Sequence, residues 1–228
     1  MNDLGTVLIT GGASGLGAAT VDAVREAGGR PLVIDRVAPP SDVEHVVADL
    51  ADSRAAEAAV GELAERAGGL DAVFTPAGTD ACGMLGDVST EDWDRVVKVN
   101  LIGTAAVVRA ALPYLERSHG KVVTCASTLG VKAVSDATAY CASKFGVVGF
   151  SRALAAETAG RIGVTMLVPG GMHTAFFDDR DEKYKPPADA KLNDPRNVAQ
   201  TVLFALRQPA GCEVREMVVC PSVESSWP

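Results

Sequence analysis

Short apolar runs alternate along this chain with longer stretches whose apolar positions recur every three or four residues. The runs "TVLIT" (6–10), "PLVID" (31–35), "VEHVVADL" (43–50), "LDAVFT" (70–75), "KVVTCAS" (121–127), "GVTMLVP" (163–169) and "REMVVC" (215–220) read as seven strands. Between them, 16–27, 52–67, 89–115, 138–159 and 195–207 have helical spacing. Gly28 and Gly68 stop the first two helices, and Ser89 with Asp92 offers the third a cap. Apolar strands separated by helices imply a parallel sheet covered on both faces. Right-handed crossovers then give an α/β, doubly wound arrangement. No internal repeat or low-complexity linker breaks the order, so residues 1–228 are expected to form one domain. Residues 175–195, "AFFDDRDEKYKPPADAKLNDP", have no period and are rich in charge and proline. They are either a solvated loop or a loop that shapes a substrate site.

Composition narrows the partners. The chain has 228 residues, 47% hydrophobic and 22% charged, with a net charge of −8. That balance argues against nucleic acid or an anionic membrane surface as partner. Five cysteines are scattered with no C-x-x-C pair, and the three histidines are dispersed, so reduced thiols and no metal site are expected. The start "MNDLGTVLIT" carries no charged leader, and the apolar stretches are short and interrupted. A cytoplasmic setting is the expectation.

The first strand–helix junction reads "LITGGASGLGAAT". Gly11, Gly15 and Gly17 allow a tight turn and close approach of backbone to a pyrophosphate at a helix N-terminus. The position, between the first strand and the first helix, is where a Rossmann fold binds a dinucleotide. Asp35 ends the second strand near the offset of a ribose-binding acid. Its carboxylate can accept from both ribose hydroxyls and would repel a 2′-phosphate. Arg36 follows, and could stack on adenine or hold that phosphate. The balance favours NAD, with NADP the lesser alternative.

"AYCASK" (139–144) places Tyr140 and Lys144 four apart, on one face of a helix. They are either two amphipathic side chains with wet tips or a proton donor and the charge that tunes it. A free phenol titrates near ~10 and is a poor base at neutral pH; a nearby cation lowers that value. Ser127, thirteen residues earlier, supplies a hydroxyl able to donate to a developing alkoxide.

"TGGASGLG" together with "AYCASK" resembles the short-chain dehydrogenase/reductase family, in its single-domain branch. The resemblance runs over nearly the whole chain and takes in Asp49, "AG" at 77–78, Asn100 in "VVKVNLIGT", Ser127 in "CASTLG" and "PGGMHT" at 169–174. It implies hydride transfer between a nicotinamide and a carbinol or carbonyl carbon. Tyr140 would be the general acid/base and Ser127 would hold the substrate oxygen. Lys144 would bind the nicotinamide ribose and lower the Tyr140 pKa, and Asn100 would hold a water linking Lys144 to solvent. Cofactor contacts carried over by the resemblance fall on Gly11, Ser14, Gly15, Leu16, Gly17, Asp35, Arg36, Asp49, Leu50, Ala77, Gly78, Tyr140, Lys144, Pro169, Gly170, Met172 and Thr174.

The expected activity is an NAD(H)-dependent oxidoreductase acting on a small secondary alcohol or ketone, in a homotetramer or homodimer. The alternatives are an NADPH-dependent 3-oxoacyl-thioester reductase and a non-catalytic dinucleotide-binding regulator. One departure stands out. The family usually carries two asparagines before Ala77-Gly78, and this chain has Thr75 and Pro76 there. The Thr75 hydroxyl is a candidate replacement for their hydrogen bonds. Pocket walls are expected near 79–86, 129–136 and 171–193, with Met84, Leu85, Val131, Val134, Met172, Phe176 and Phe177. The tail "VVCPSVESSWP" lacks the usual glycine pair after the last strand, which leaves its packing open.

Overall fold

The computed structural model describes residues 4–40 and 42–227. Its centre is a seven-stranded sheet in the order β3-β2-β1-β4-β5-β6-β7, with every pairing parallel. The strands are β1 (Thr6–Thr10), β2 (Arg30–Asp35), β3 (Glu44–Val47), β4 (Ala72–Thr75), β5 (Lys121–Cys125), β6 (Gly163–Pro169) and β7 (Glu216–Val219). The helices are α1 (Gly15–Glu26), α2 (Ser53–Ala67), α3 (Thr90–Val97), α4 (Thr104–Ser118), α5 (Thr138–Glu157) and α6 (Pro195–Leu206).

Alternation along each strand sends its side chains to two separate cores. Leu8, Leu32, Ile34, Val73 and Val122 face α2, α4 and the end of α5. Val7, Ile9, Val33, Phe74 and Val123 face α1 and α6. The central strands are therefore apolar on both faces, as anticipated. The edges are not: β3 and β7 are half-exposed along their length. The chain winds outward from β1 through β2 to β3, then returns and winds the other way from β4. The carboxyl ends of β1 and β4 consequently open a crevice at the reversal.

Three differences from the expected elements matter. β3 stops at Val47, which leaves Asp49 and Leu50 in a loop facing the crevice. β5 stops at Cys125, so Ser127 caps the single turn Thr128–Gly130 instead of ending a strand. The helix expected over 89–115 is two helices joined by a wide π-turn at Lys98–Gly103. Ser89 caps it as expected, its Oγ accepting from the Asp92 N–H at 3.0 Å. A π-turn inserts a residue into the helical ladder, and such turns recur at functional sites; here it carries Asn100 inward, to 1% exposure. Among the described residues, Thr90–Ser118 alone has the length and apolarity of a membrane span, and half of its most apolar window is buried inside the fold.

Thr75 does not take over for the missing asparagines. Its Oγ1 is buried and has no hydrogen-bond partner among the described residues. The loop after β4 is anchored from elsewhere: Thr10 Oγ1 accepts from the Ala77 N–H at 3.2 Å, and Asn100 grips Thr79. A buried polar group without a partner is destabilising, and an apolar group of the same shape removes that cost. Thr75→Val should therefore raise stability by about 1 kcal/mol, read as a rise of roughly 2–4 °C in unfolding midpoint. A fall in the midpoint would mean that the hydroxyl has a partner after all.

Candidate active site

The crevice is a cleft of about 920 Å³ running from the glycine loop to the 175–195 loop. Its adenosine-sized end is built by β1, α1 and β2. Gly11 and Gly15 have φ of +66° and +54°, which side chains rarely adopt. At Gly17 a Cβ would lie 2.0 Å from the Gly11 carbonyl oxygen, so α1 starts directly against the loop. Ser14 occupies the N-cap position of α1 but makes no side-chain cap. The first-turn N–H groups are thus left to an outside acceptor, the arrangement a pyrophosphate requires.

Asp35 projects from the end of β2. Its two carboxylate oxygens accept from the Ala13 N–H at 2.9 Å and the Val37 N–H at 3.2 Å, which fixes it beside the glycine loop. Asp49 accepts from the Ala51 N–H and from Arg95, both at 2.9 Å. Burial works against its charge, but those donors prevail and hold its carboxyl below the ordinary range. The glycine cradle, the uncapped helix start and the two oriented carboxylates fit a dinucleotide.

At the other end, β5 and α5 bring the candidate catalytic residues together. Tyr140 and Lys144 lie one turn apart on α5, and Ser127 approaches from the turn after β5. The Ser127 Oγ accepts from the Leu129 N–H at 3.1 Å and lies close enough to the Tyr140 hydroxyl to influence it. Burial pushes the Tyr140 pKa above the usual phenol value. The thiol of Cys125 and the carboxylate of Asp80 push the same way, while the Ser127 hydroxyl and the Arg180 cation oppose them. The phenol is therefore held as a proton donor. Lys144 is 3% exposed, and its Nζ donates to the Cys125 carbonyl at 2.9 Å and lies 5.6 Å from the centre of the Tyr140 ring. Burial lowers its pKa.

All the candidate catalytic and cofactor-binding residues singled out in the sequence line this cleft except Asn100. Asn100 stands behind it. Its amide donates to the Thr79 carbonyl at 2.9 Å and to Ser143 Oγ at 3.0 Å, and its Oδ1 accepts from the Thr79 N–H at 2.8 Å. It thus braces the loop after β4 against α5. Thr174 caps the turn Ala175–Phe177, its Oγ1 accepting from the Phe176 N–H at 3.4 Å.

The pocket walls were only partly anticipated. Phe176 packs against Tyr140, with ring centres 5.7 Å apart. Met84, Leu85 and Val134 are 66%, 65% and 43% exposed and do not line the cleft, and Val131 packs on a small core cluster under α5. Arg95 was missed; Asp80 and Arg180 fall inside the expected wall stretches 79–86 and 171–193, but neither was singled out. Arg180 sits among Asp178, Asp179, Asp181 and Glu182, where a lone cation looks like ordinary solvated charge. The tail was missed as well: Glu224 accepts from the Gly171 N–H at 2.9 Å, and Ser226 meets Thr128 at 2.6 Å. Val223–Ser226 thereby become part of the wall.

A parallel doubly wound sheet, a glycine cradle at its reversal point and a Ser–Tyr–Lys cluster across the same cleft define a dinucleotide-dependent oxidoreductase. The family model for short chain dehydrogenase matches residues 5–185, and the chain belongs to that family. Among its relatives is the (2S)-[(R)-hydroxy(phenyl)methyl]succinyl-CoA dehydrogenase subunit BbsD of Thauera aromatica, 33% identical over 224 residues and covering 90% of each chain. Among solved structures, the aldohexose dehydrogenase of Thermoplasma acidophilum superposes with a TM-score of 0.87 at 21% identity, covering 96% of this chain and 94% of that one. An alcohol dehydrogenase of the archaeon Thermococcus sibiricus, solved with 5-hydroxy-NADP, gives 0.86 at 22% identity and covers 96% of each. The protein is an oxidoreductase with the nicotinamide-binding fold of its family.

Proposed function

We propose that the protein transfers a hydride between NAD(H) and a small secondary alcohol or ketone, with Tyr140 as general acid/base. The observation that carries this is that Ser127, Tyr140 and Lys144 line the same cleft as the glycine loop. The nicotinamide supplies or accepts the hydride. Ser127 donates to the substrate oxygen, and Tyr140 gives or takes that oxygen's proton. Lys144 places a cation behind the phenol and would hold the cofactor ribose, and Asn100 holds α5 and the Thr79 loop in register. The whole chain acts as one catalytic unit, with residues 175–195 as its substrate loop. Ile102 and Phe145, 43% and 45% exposed, support self-association as a homodimer or homotetramer.

The choice of NAD rests on Asp35, whose carboxylate is oriented by the Ala13 and Val37 N–H groups. A 2′-phosphate there would meet like charge. Titration calorimetry should find NAD(H) binding at least tenfold tighter than NADP(H), or about 1.4 kcal/mol, and Asp35→Ser should narrow that ratio. The opposite order refutes the Asp35 argument. The oxidoreductase reading itself is tested by following NAD(P)H absorbance with a panel of alcohols and ketones. Cofactor binding without turnover on any of them would leave a regulator.

A further inference from the structure

The substrate end of the cleft has a charge and shape that select among carbonyl compounds; this inference rests on the oxidoreductase reading above. Phe176 lies against Tyr140, and Phe177 meets Phe176 edge to face, with ring centres 5.6 Å apart. The Arg180 guanidinium lies over both rings, 5.0 and 4.7 Å from their centres. The cation is paired through its Nη2, 2.6 Å from Asp80 Oδ2 across the cleft, with side chains 18% and 7% exposed, while its buried Nε has no partner among the described residues. Asp80 also accepts from the Ala81 N–H and from the Cys82 thiol. A substrate carboxylate competing for Arg180 would strand the Asp80 charge in a buried place without its counter-ion. The surroundings discourage it further, since Asp179, Asp181 and Glu224 line the same end and the remaining cation there, Lys191, is exposed. What remains next to Tyr140 is an apolar corner of two aromatic rings set edge to face, with the Arg180 cation close to both.

We propose that the substrate is an uncharged aryl or alicyclic ketone, or the corresponding alcohol, and that the Asp80–Arg180 pair is the specificity determinant that turns anionic substrates away. The test compares reduction of acetophenone and 4-acetylbenzoate with NADH in the wild-type protein, Asp80→Asn and Arg180→Met. Unfolding midpoints are measured alongside. Wild-type kcat/KM should favour acetophenone at least tenfold. Asp80→Asn frees Arg180 and should lower that preference at least tenfold, with an absolute gain on 4-acetylbenzoate. Arg180→Met leaves Asp80 uncompensated and should raise the preference. Opposite shifts in two folded variants are what a merely structural pair would not produce. Preference of the wild type for 4-acetylbenzoate, or an unchanged ratio in both variants, overturns the proposal. If a wider panel shows turnover only with carboxylate-bearing ketones, the substrate class falls and the oxidoreductase reading stands. If no carbonyl compound is reduced, both fall.

Discussion

Replacing Tyr140 by Phe should lower turnover by roughly 10²–10⁴-fold, the range typical for losing a positioned general acid or base. The ring that packs on Phe176 is kept, so folding and NADH affinity should change little. Only the hydroxyl that meets Ser127 is lost. Among the described residues no other phenol lines the cleft beside Ser127; Tyr184, the other tyrosine of the cleft, belongs to the 175–195 loop. The direction of the reaction adds a second signature. Burial holds the free protein's Tyr140 protonated, which suits carbonyl reduction. Alcohol oxidation needs the phenolate, so its rate should climb with pH while reduction declines. Stopped-flow measurement of NADH formation and decay would read both. Turnover in the Phe variant within tenfold of wild type would remove Tyr140 from the mechanism.

Lys144→Met should separate catalysis from stability. The side chain is 3% exposed, and its Nζ donates to the Cys125 carbonyl, with no carboxylate in salt-bridge contact among the described residues. Burying a charge is costly, and Met keeps the length and apolar volume without it. Turnover should fall at least 100-fold, in line with losing the group that supports the proton donor, while the unfolding midpoint stays equal or rises. The sign of the pH dependence follows from linkage. Burial lowers the Lys144 pKa in the folded chain, so the unfolded chain binds more protons in the window below the ordinary lysine value near ~10.4. Wild-type stability should climb with pH across that window as this penalty is relieved, and the Met variant should lack the climb. Equal slopes in the two proteins, from urea titrations at a series of pH values, would show that Lys144 is not held as a strained cation.

Much of the site was legible because its chemistry depends on residues close in the chain or at fixed element ends. Gly11, Gly15 and Gly17 sit in one loop, Asp35 ends the next strand, and Tyr140 and Lys144 share one helical face. The rest rests on long-range contacts. Arg180 and Asp80 are 100 positions apart, Ser226 and Thr128 are 98 apart, and Arg95 reaches Asp49 across 46. Asn100 was picked out by its resemblance to a family position. Its brace between Thr79 and Ser143 came from a π-turn that no periodicity announces. Met84, Leu85 and Val134 were expected in the wall for their apolarity alone, yet apolar side chains also occur singly on surfaces.

The sequence by itself determined the alternation of elements, the parallel sheet and the glycine loop between the first strand and helix, and its family resemblance pointed to Ser127, Tyr140 and Lys144 as the proposed reacting set. The elements and the loop follow from local spacing, where one strand, turn or helix face sets which side chains meet. Tertiary structure alone decided that "AYCASK" holds a buried cation behind a protonated phenol, that Thr75 carries a hydroxyl with nothing to bond, and that the 175–195 loop is pinned over the cleft through Arg180 and Asp80. Those outcomes depend on burial and on partners brought from distant parts of the chain, and neither burial nor a distant partner leaves a periodic mark in the order of residues.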